Sequence, residues 1–570
     1  MAATSDRRGG LATIFPPWGW LRDYRSTWLH GDVVAGLTLA AYALPVALAY
    51  AALAGLPPQV GVYGYMLGGL GYALLGSSRH LAIGPTSAIS LMVAAHLGAM
   101  AGGDAARYAE IASLAALTVA LLCLICWALR LSVLVKLISD SILVGFKAGA
   151  GITIAVTQLP ALFGVPGGGS NVIERLVVPV GQLPGLNLVT LGVGLAGIAL
   201  LVLGGRTLPG RPVALGVVIL SILVATLLGL AQHGVVITGA IPAGLPDLGL
   251  PSLRLADVEG IVPLAAGCLL LAYIEGVSAA RGFAEKHGYA LNPRQEFLGI
   301  GAANLMAGLG HGYPVAGGLS QSAVAEKAGA QTPLTLVLAS VALGLCLLFL
   351  TGLLANLPKA TLAAVVLTAV AGLVDIPALL RLWRVSREDF AAAAIALVGV
   401  LLLGILQGIL LAALASVLML LVRGGRPHVA FLGREPGTRR CGDMARHPET
   451  QPIPGVLAFR PEGALLYVNA EHVEALVQGR LAAQPPGTLR LVACDLSAVP
   501  RMDLSALAML RKLHAALAAQ GIRFTIAGAH GNLRDLLRRE GFAEVVGGVS
   551  REVTIEAVLD EAEPAPGASR

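Results

Sequence analysis

The 570-residue chain is 56% hydrophobic and only 13% charged, with a formal net charge of +6. Soluble domains carry about 25% charged residues, so the composition excludes an ordinary soluble protein and indicates one that crosses a membrane several times. The 72 glycines fit that class, because close packing between membrane helices favours small residues. Residues 1–30 are polar and arginine-bearing, and we expect a cytoplasmic N-terminal segment there without a cleaved signal peptide.

Apolar runs follow from residue 31 to residue 426, and many reach the roughly 20 residues that cross about 30 Å of hydrocarbon. They predict a polytopic α-helical membrane domain over 31–426. We place fourteen segments at 31–54, 57–77, 81–99, 109–129, 139–160, 186–204, 211–230, 259–279, 296–311, 317–330, 333–355, 360–378, 389–404 and 406–423.

The distribution of Lys and Arg between the connecting loops predicts the orientation. With the N-terminus inside, 18 of these residues up to Arg426 fall on the cytoplasmic side, and Lys147 lies within a span. The opposite side receives 4, namely Arg107, Arg175, Arg254 and Lys359. This asymmetry satisfies the positive-inside rule and places both termini in the cytoplasm. The net positive charge therefore reflects membrane orientation and does not indicate a nucleic-acid partner.

The composition changes near residue 424, where charged residues become frequent. Residues 427–452, rich in Pro, Gly and Arg, are interpreted as a linker, and 453–565 as a small cytoplasmic α/β domain. Strands are predicted for "GVLAFRP", "ALLYVNA", "RLVACDL" and "IRFTIAG", and helices for "EHVEALVQGRLAAQ", "DLSALAMLRKLHAALAAQ" and "NLRDLLRREGF". This alternation favours a mainly parallel or mixed sheet.

The third and tenth segments are short and interrupted. The third opens with "AIGPTSAIS" and the tenth with "PVAGGLSQSAV", so each has a glycine-rich stretch before hydroxyl side chains and a helix start. Gly84 lies 53 residues after Gly31, and Gly318 lies 59 residues after Glu259, so the motifs hold similar places in two halves of seven segments. Interrupted segments in corresponding positions indicate a transporter binding site.

Free N–H groups and the positive end of a helix dipole can hold an anion without any full charge. Broken backbone at membrane depth is tolerated where it lines such a cavity. The motifs therefore favour an anion site between the third and tenth segments. A kink that serves only helix packing is the alternative for either motif.

Several stretches resemble the sulfate-permease (SulP) family of anion transporters. "LPVALAYA" is similar to that family's Pro-Gln-x-x-Ala-Tyr-Ala pattern, and "GPTSAISLM" to its third-segment motif. "IEGVSAARGFAEKHGYALNPRQEFLGIGAANL" resembles its eighth-segment signature. "RPHVAFLGREPGT" and "IPGVLAFRPEGALLYVNAEH" resemble the opening of its cytoplasmic STAS domain.

The resemblance implies a 7+7 inverted repeat, a mobile core domain moving against a gate domain, and a homodimer. It makes 31–426 a transport domain and 453–565 a STAS domain with a possible cytoplasmic partner. It also implies that the first helix bends at Pro45 and passes the anion site at Tyr50, although a membrane tyrosine is otherwise often an interface anchor. The expected substrate-binding residues are Tyr50, Gly84, Pro85, Thr86, Ser87, Gly318, Leu319, Ser320 and Gln321.

Two positions depart from the family pattern. Val46 stands where the family usually has Gln, and Gln321 stands where many members have Arg between two serines. Because a dianion gains most from a fixed cation, the change at Gln321 weakens an assignment to sulfate itself. Lys147 is the only Lys or Arg deep in a span, and an intramembrane charge is a functional candidate. It either restores the lost positive charge as a charge partner or extends to the cytoplasmic edge.

Glu275 lies within the eighth segment, flanked by "LLLAYI". A carboxyl group in a low dielectric favours its neutral form, so Glu275 can carry a proton. Protonation would remove its repulsion of an incoming anion and couple the two fluxes, a role that the resemblance also implies. The alternative is a helix-end carboxylate bonded to its neighbours. Glu296 and Asn304 are expected instead to hold the connection between the eighth and ninth segments and to serve helix packing.

The remaining motifs predict no catalytic or cofactor chemistry. His96 and His311 are single histidines, so no metal site is expected, and the absence of a P-loop gives no support to an ATP-driven pump. Ser505, in "MDLSALAML", corresponds to a possible STAS phosphorylation site or to a helix cap.

These residues predict a secondary transporter, not an enzyme, for a small anion such as sulfate, bicarbonate or a dicarboxylate. We expect coupling to protons rather than Na⁺, in a bacterial-type inner membrane. A channel-like or sensory membrane protein regulated through STAS is the alternative. A neutral-solute carrier such as a nucleobase permease is a third hypothesis, which the predicted STAS domain disfavours.

Overall fold

The computed structural model describes residues 20–21, 24–131, 139–169, 172–208, 212–252, 254–485 and 487–562. The predicted N-terminal segment therefore lies mostly outside the described residues, as do residues 563–565 of the predicted STAS domain. The chain forms two compact units, Met1–Ser416 and Val417–Arg570.

The first half of the membrane unit contains seven segments and one additional short helix. They are α1 (Ser26–Leu53), α2 (Pro58–Leu75), the two-residue strand β1 (Ile83–Gly84) followed by α3 (Ser87–Ala101), α4 (Ala105–Ala128), α5 (Asp140–Phe163), the short α6 (Val172–Gly181), α7 (Leu188–Thr207) and α8 (Val213–Leu227).

The second half repeats this arrangement. It contains α9 (Leu255–His287), α10 (Pro293–Leu309), strand β2 (Ala316–Gly317) followed by α11 (Leu319–Lys327), α12 (Leu334–Phe349), the single turn α13 (Thr351–Leu354), α14 (Lys359–Ala371), the short α15 (Ile376–Val385), α16 (Arg387–Leu403) and α17 (Ile405–Gly425).

All fourteen predicted segments are present, and the 7+7 order is confirmed. Seven of the described helices are long and apolar enough to cross a membrane unaided, while the other segments are shorter or interrupted. The sequence interpretation missed α6 and α15, which lie at matching places, between the fifth and sixth segments of each half. The first helix is continuous through Pro45.

The segments pack as two bundles that each draw on both halves of the chain. The first bundle joins α1–α4 with α9–α12, and α10 lies against both α2 and α4. The second bundle joins α5, α7 and α8 with α14 and α16. Glycine allows the closest crossing, since a Cβ on Gly145 would lie 1.8 Å from the carbonyl oxygen of Ala393. α1, α3, α5 and α14 meet where the bundles face each other.

The second unit begins with the end of α17 and continues as an α/β domain with a five-stranded mixed sheet. Its elements are β3 (His428–Arg434), β4 (Cys441–Asp443), β5 (Val456–Glu462), α18 (Ala470–Ala482), β6 (Leu491–Asp495), α19 (Leu504–Ala518), β7 (Arg523–Ala527), α20 (Gly531–Arg539), α21 (Phe542–Val545) and α22 (Ile555–Ala562). The strand order is β4-β3-β5-β6-β7, antiparallel between the first three strands and parallel between the last three.

Two sequence interpretations of this domain were wrong. Residues 427–452, expected to be a linker, contain β3 and β4, because "HVAFLGR" buries Val429 and Leu432 and pairs with β5 despite the surrounding Pro, Gly and Arg. The predicted strand "ALLYVNA" is instead a turn, because the Asn469 side chain accepts a hydrogen bond from Leu466 N at 2.9 Å and closes the backbone there. The other predicted strands and helices are confirmed.

Candidate functional site

The two interrupted segments meet in the interior of the membrane unit. β1 and β2 pair antiparallel, with Ile83 opposite Gly317 and Gly84 opposite Ala316, and all four residues are buried. α3 begins directly after Thr86, and α11 directly after Gly318. This pairing brings two helix N-termini close to each other. The first N–H groups of each helix have no partner within the helix, so they are available to a ligand.

Side chains of the tenth segment lock this pairing. The Gln321 amide donates to Ala82 O at 3.0 Å, and Gly318 N donates to the same oxygen at 3.1 Å. The Ser322 hydroxyl accepts from Ala82 N at 2.8 Å and donates to Gly318 O at 2.7 Å. Gln321, expected to be a substrate ligand, therefore also bonds to the protein backbone. Ser322, which completes the Ser-Gln-Ser pattern, was not among the expected substrate-binding residues.

A cavity of about 320 Å³ lies beside this pair of helix starts, and we call it the central cavity. Nearly all the predicted site residues line it, namely Tyr50, Pro85, Thr86, Ser87, Lys147, Glu275, Gly318, Leu319, Ser320 and Gln321. Gly84 is the exception. It lies under the ring of Tyr65, where an added Cβ would be 2.3 Å from Tyr65 Cδ2, so its role is to admit that ring.

Hydroxyl groups surround the helix starts. Thr86 Oγ1 is buried and has no hydrogen-bond partner among the described residues, so it is free to donate to a ligand. The Tyr50 side chain interacts with Ser87, and Ser320 is exposed to the cavity. These hydroxyl groups are hydrogen-bond donors without a full positive charge. An anion at a helix start is bound by donors of this kind.

One acidic and one basic side chain reach the central cavity from different bundles. Glu275 projects from α9 in the first bundle, and Lys147 from α5 in the second. Both side chains therefore line the same cavity. A change in the protonation of Glu275 therefore changes the net charge of the cavity wall.

Sequence reasoning missed further lining residues. Tyr42 was not identified, although it lines the cavity with Val46 and Tyr50, and the spacing of four residues puts all three on one face of α1. Ser278 lies three residues after Glu275 on α9 and also lines the cavity. The spacing of four residues on α1 and the spacing of three residues on α9 were the sequence signals that could have identified Tyr42 and Ser278. Leu373, at the end of the twelfth segment, carried none, since only the fold brings it there.

The two polar residues assigned to packing are confirmed in that role. Glu296 accepts hydrogen bonds from Tyr72 Oη at 2.8 Å and from Ser77 N at 2.9 Å, and so ties α10 to the end of α2. Asn304 holds the backbone of Val315 through both of its amide atoms at 3.0 Å, directly before β2.

In the second unit, the cap of α19 is Asp503, not Ser505. The Asp503 carboxylate accepts from Ala506 N at 2.9 Å, whereas Ser505 lies exposed in the first turn. The capping role considered for Ser505 is therefore wrong, and its phosphorylation stays a prediction.

Comparison with known proteins gives matches over most of the chain. The model of the "Sulfate permease family" matches residues 29–396, and that of the "STAS domain" matches residues 447–562. A "Probable sulfate transporter" of Mycobacterium tuberculosis is 35% identical over 526 residues, covering 92% of this chain and 94% of the relative. "Sulfate transporter 4.1, chloroplastic" of Arabidopsis thaliana is 30% identical over 554 residues, covering 94% of this chain and 81% of the relative.

Two solved structures share the fold. Murine solute carrier 26 family member A9, an anion transporter in the inward-facing state, matches with a TM-score of 0.87 and 20% identity, covering 99% of this chain and 96% of that one. The transmembrane domain of a cyanobacterial bicarbonate transporter, BicA, matches with a TM-score of 0.60 and 23% identity, covering 69% of this chain and 98% of that one.

Proposed function

Because the chain belongs to the sulfate permease family, we propose that it is a secondary active transporter of a small anion, coupled to protons through Glu275. The observation that carries this proposal is the central cavity, where two helix N-termini, free hydroxyls and one carboxyl group meet. The candidate substrates are sulfate, bicarbonate and dicarboxylates.

The anion is held by the starts of α3 and α11. The backbone N–H groups of these helix starts and the hydroxyls of Thr86 and Ser320 donate to its oxygens, and the helix dipoles stabilise its charge. Gln321 keeps the two starts together through its bond to Ala82 O and also lines the cavity. Lys147 adds the positive charge that the chain lacks at position 321.

Proton coupling follows from charge balance in the cavity. With Glu275 ionised, its carboxylate repels an incoming anion and offsets Lys147. With Glu275 protonated, the wall is one charge more positive, and the anion binds more strongly. Anion and proton therefore bind together and leave together, so a proton gradient can drive accumulation of the anion.

The two bundles suggest the transport motion. α1, α3, α9 and α11 belong to the first bundle and supply the helix starts, Tyr50 and Glu275. The second bundle supplies Lys147, Ala369, Gly372 and Leu373 on the facing wall. We propose an elevator movement in which the first bundle carries the bound anion along the second. The orientation has both termini in the cytoplasm of a bacterial-type cell, with a homodimer as the assembly and the STAS domain available to a cytoplasmic partner.

The test is flux in proteoliposomes with a set proton gradient. Competition between sulfate, bicarbonate, chloride and succinate would identify the anion, and simultaneous proton flux would give the stoichiometry. A fixed ratio of protons to anions supports a coupled transporter. Anion flux that follows only its own gradient, with no linked proton movement, would indicate the channel-like alternative.

A further inference from the structure

A second cavity, of about 640 Å³, lies along the same interface between the two bundles. Its wall includes Val156 on α5 and Ala360 on α14, whereas the central cavity includes Lys147 on α5 and Ala369 on α14. Each pair of positions differs by nine residues (156 − 147 and 369 − 360). At 1.5 Å per residue, the two cavities are about 14 Å apart along the helices.

The wall of the second cavity is positively charged. Arg175 and Lys359 both line it, and the described lining residues include no Asp or Glu. The Nε of Arg175 donates to Gly169 O at 3.1 Å, which fixes the guanidinium group at the cavity wall. A concave surface with one sign of charge raises the local concentration of the opposite ion.

Thr190 adds a buried donor to this wall. Its side chain is 3% exposed and lines the cavity, and its Oγ1 has no hydrogen-bond partner in the part of the chain that the structure describes. A buried hydroxyl without a partner costs free energy. An anion in the cavity would accept its hydrogen bond and remove that cost.

We propose that the second cavity is a separate anion-binding site, which takes a small oxyanion or halide before it reaches the central cavity. This inference rests on the proposed function for its place on the transport path. The central cavity has no arginine at its helix starts, and the second cavity supplies two cations about 14 Å away along the helices. With the N-terminus inside, Arg175 and Lys359 face the outside, so this site captures external anions.

Binding can be measured without transport by placing a cysteine at Ala161, a half-buried residue of the cavity wall. The probe is the rate at which a sulfonate-bearing methanethiosulfonate modifies Ala161→Cys, corrected for the wild-type chain. We expect sulfate and chloride to slow the modification. Adding Arg175→Gln or Lys359→Gln should remove most of that protection, and adding Thr190→Val should weaken it.

Sulfate uptake gives the second readout. Arg175→Gln and Lys359→Gln together should raise the KM for external sulfate by roughly tenfold, because electrostatic capture is lost. The KM from the opposite face should not change. Arg254→Gln is the matched control, since Arg254 is exposed, is assigned to the same face and does not line the cavity.

The outcomes separate this proposal from the proposed function. Protection without any transport would leave the second site standing and remove the transporter assignment. Proton-coupled transport without anion protection at position 161 would overturn the second site alone. An equal rise in KM for Arg254→Gln would also overturn it, since a general surface charge would then explain the effect.

Discussion

At the scale of single residues, the sharpest prediction concerns Glu275. Glu275→Gln imitates the protonated carboxyl group permanently, so anion binding and exchange of labelled for unlabelled substrate should persist. Accumulation against a gradient should fail, because no proton can be released on the inner side. Uptake should also lose its dependence on external pH.

The measurement pairs counterflow with pH-driven uptake in one preparation of proteoliposomes. A purely structural glutamate gives a different result, in which binding and exchange are lost together or the variant misfolds. If the Gln variant still concentrates substrate under a proton gradient, Glu275 is not the coupling group.

Ser320 tests the anion site itself. Its side chain is exposed to the central cavity at the start of α11. Ser320→Phe should fill this space and abolish uptake while membrane insertion and yield stay normal. Ser221→Phe, on α8 and outside the cavity lining, serves as the control for the added ring. Wild-type uptake by Ser320→Phe would exclude the tenth-segment start from the site.

At the scale of elements, the pairing of the two broken segments should be a source of stability. Ser322 is fully buried, and its hydroxyl joins them by accepting a hydrogen bond from Ala82 N while it donates to Gly318 O within its own segment. Ser322→Ala leaves Ala82 N without this acceptor, so unfolding should become easier by about 1–3 kcal/mol. Thermal unfolding in detergent measures the change, and Ser320→Ala is the matched control. Equal melting temperatures for the two variants would contradict the bridging role of Ser322.

The loop between α2 and β1 provides a pH-dependent contact. His80 is 5% exposed, stacks on His287 at 4.2 Å and bonds to Tyr289 Oη at 3.3 Å, while His287 and Lys286 both bond to Glu326. Burial, followed by the charge of His287 and that of Arg79, lowers the pKa of His80 from 6.5 to about 4, against the opposing effect of Glu326.

This lowered pKa has a defined effect on stability. Between pH 6.5 and about 4, the unfolded chain binds a proton at His80 that the folded chain does not. The free energy of unfolding therefore falls as the pH falls through this range. His80→Gln should reduce the drop in melting temperature between about pH 7 and about pH 5, whereas exposed His233→Gln should not. Identical drops in the two variants would contradict a neutral, buried His80.

The elements that the sequence predicted share strong local signals. Hydropathy located the fourteen segments, and the glycine-rich stretches located β1 and β2. Pairing across long separations left no local signal, so the bonds from Gln321 and Ser322 to Ala82 emerged only from the fold. β3 was missed because its apolar run is short and lies among residues typical of a loop. Leu373 lines the cavity because the fold of the inverted repeat brings the end of the twelfth segment there. No local sequence pattern predicts that position.

At the scale of the whole molecule, the two compact units should separate in function. Every residue of the central cavity, from Tyr42 to Leu373, lies within Met1–Ser416. Truncation after Arg426 removes the whole sheet of the second unit and leaves α17 complete. Substrate affinity and proton coupling should therefore survive, while membrane targeting, assembly or turnover rate should fall.

The measurement is substrate affinity and counterflow of the truncated, purified protein, together with its yield and oligomeric state. The truncated protein could instead elute as a folded species and have lost all substrate affinity. That result would mean that the second unit contributes to the anion site, and it would contradict a site built only from membrane segments.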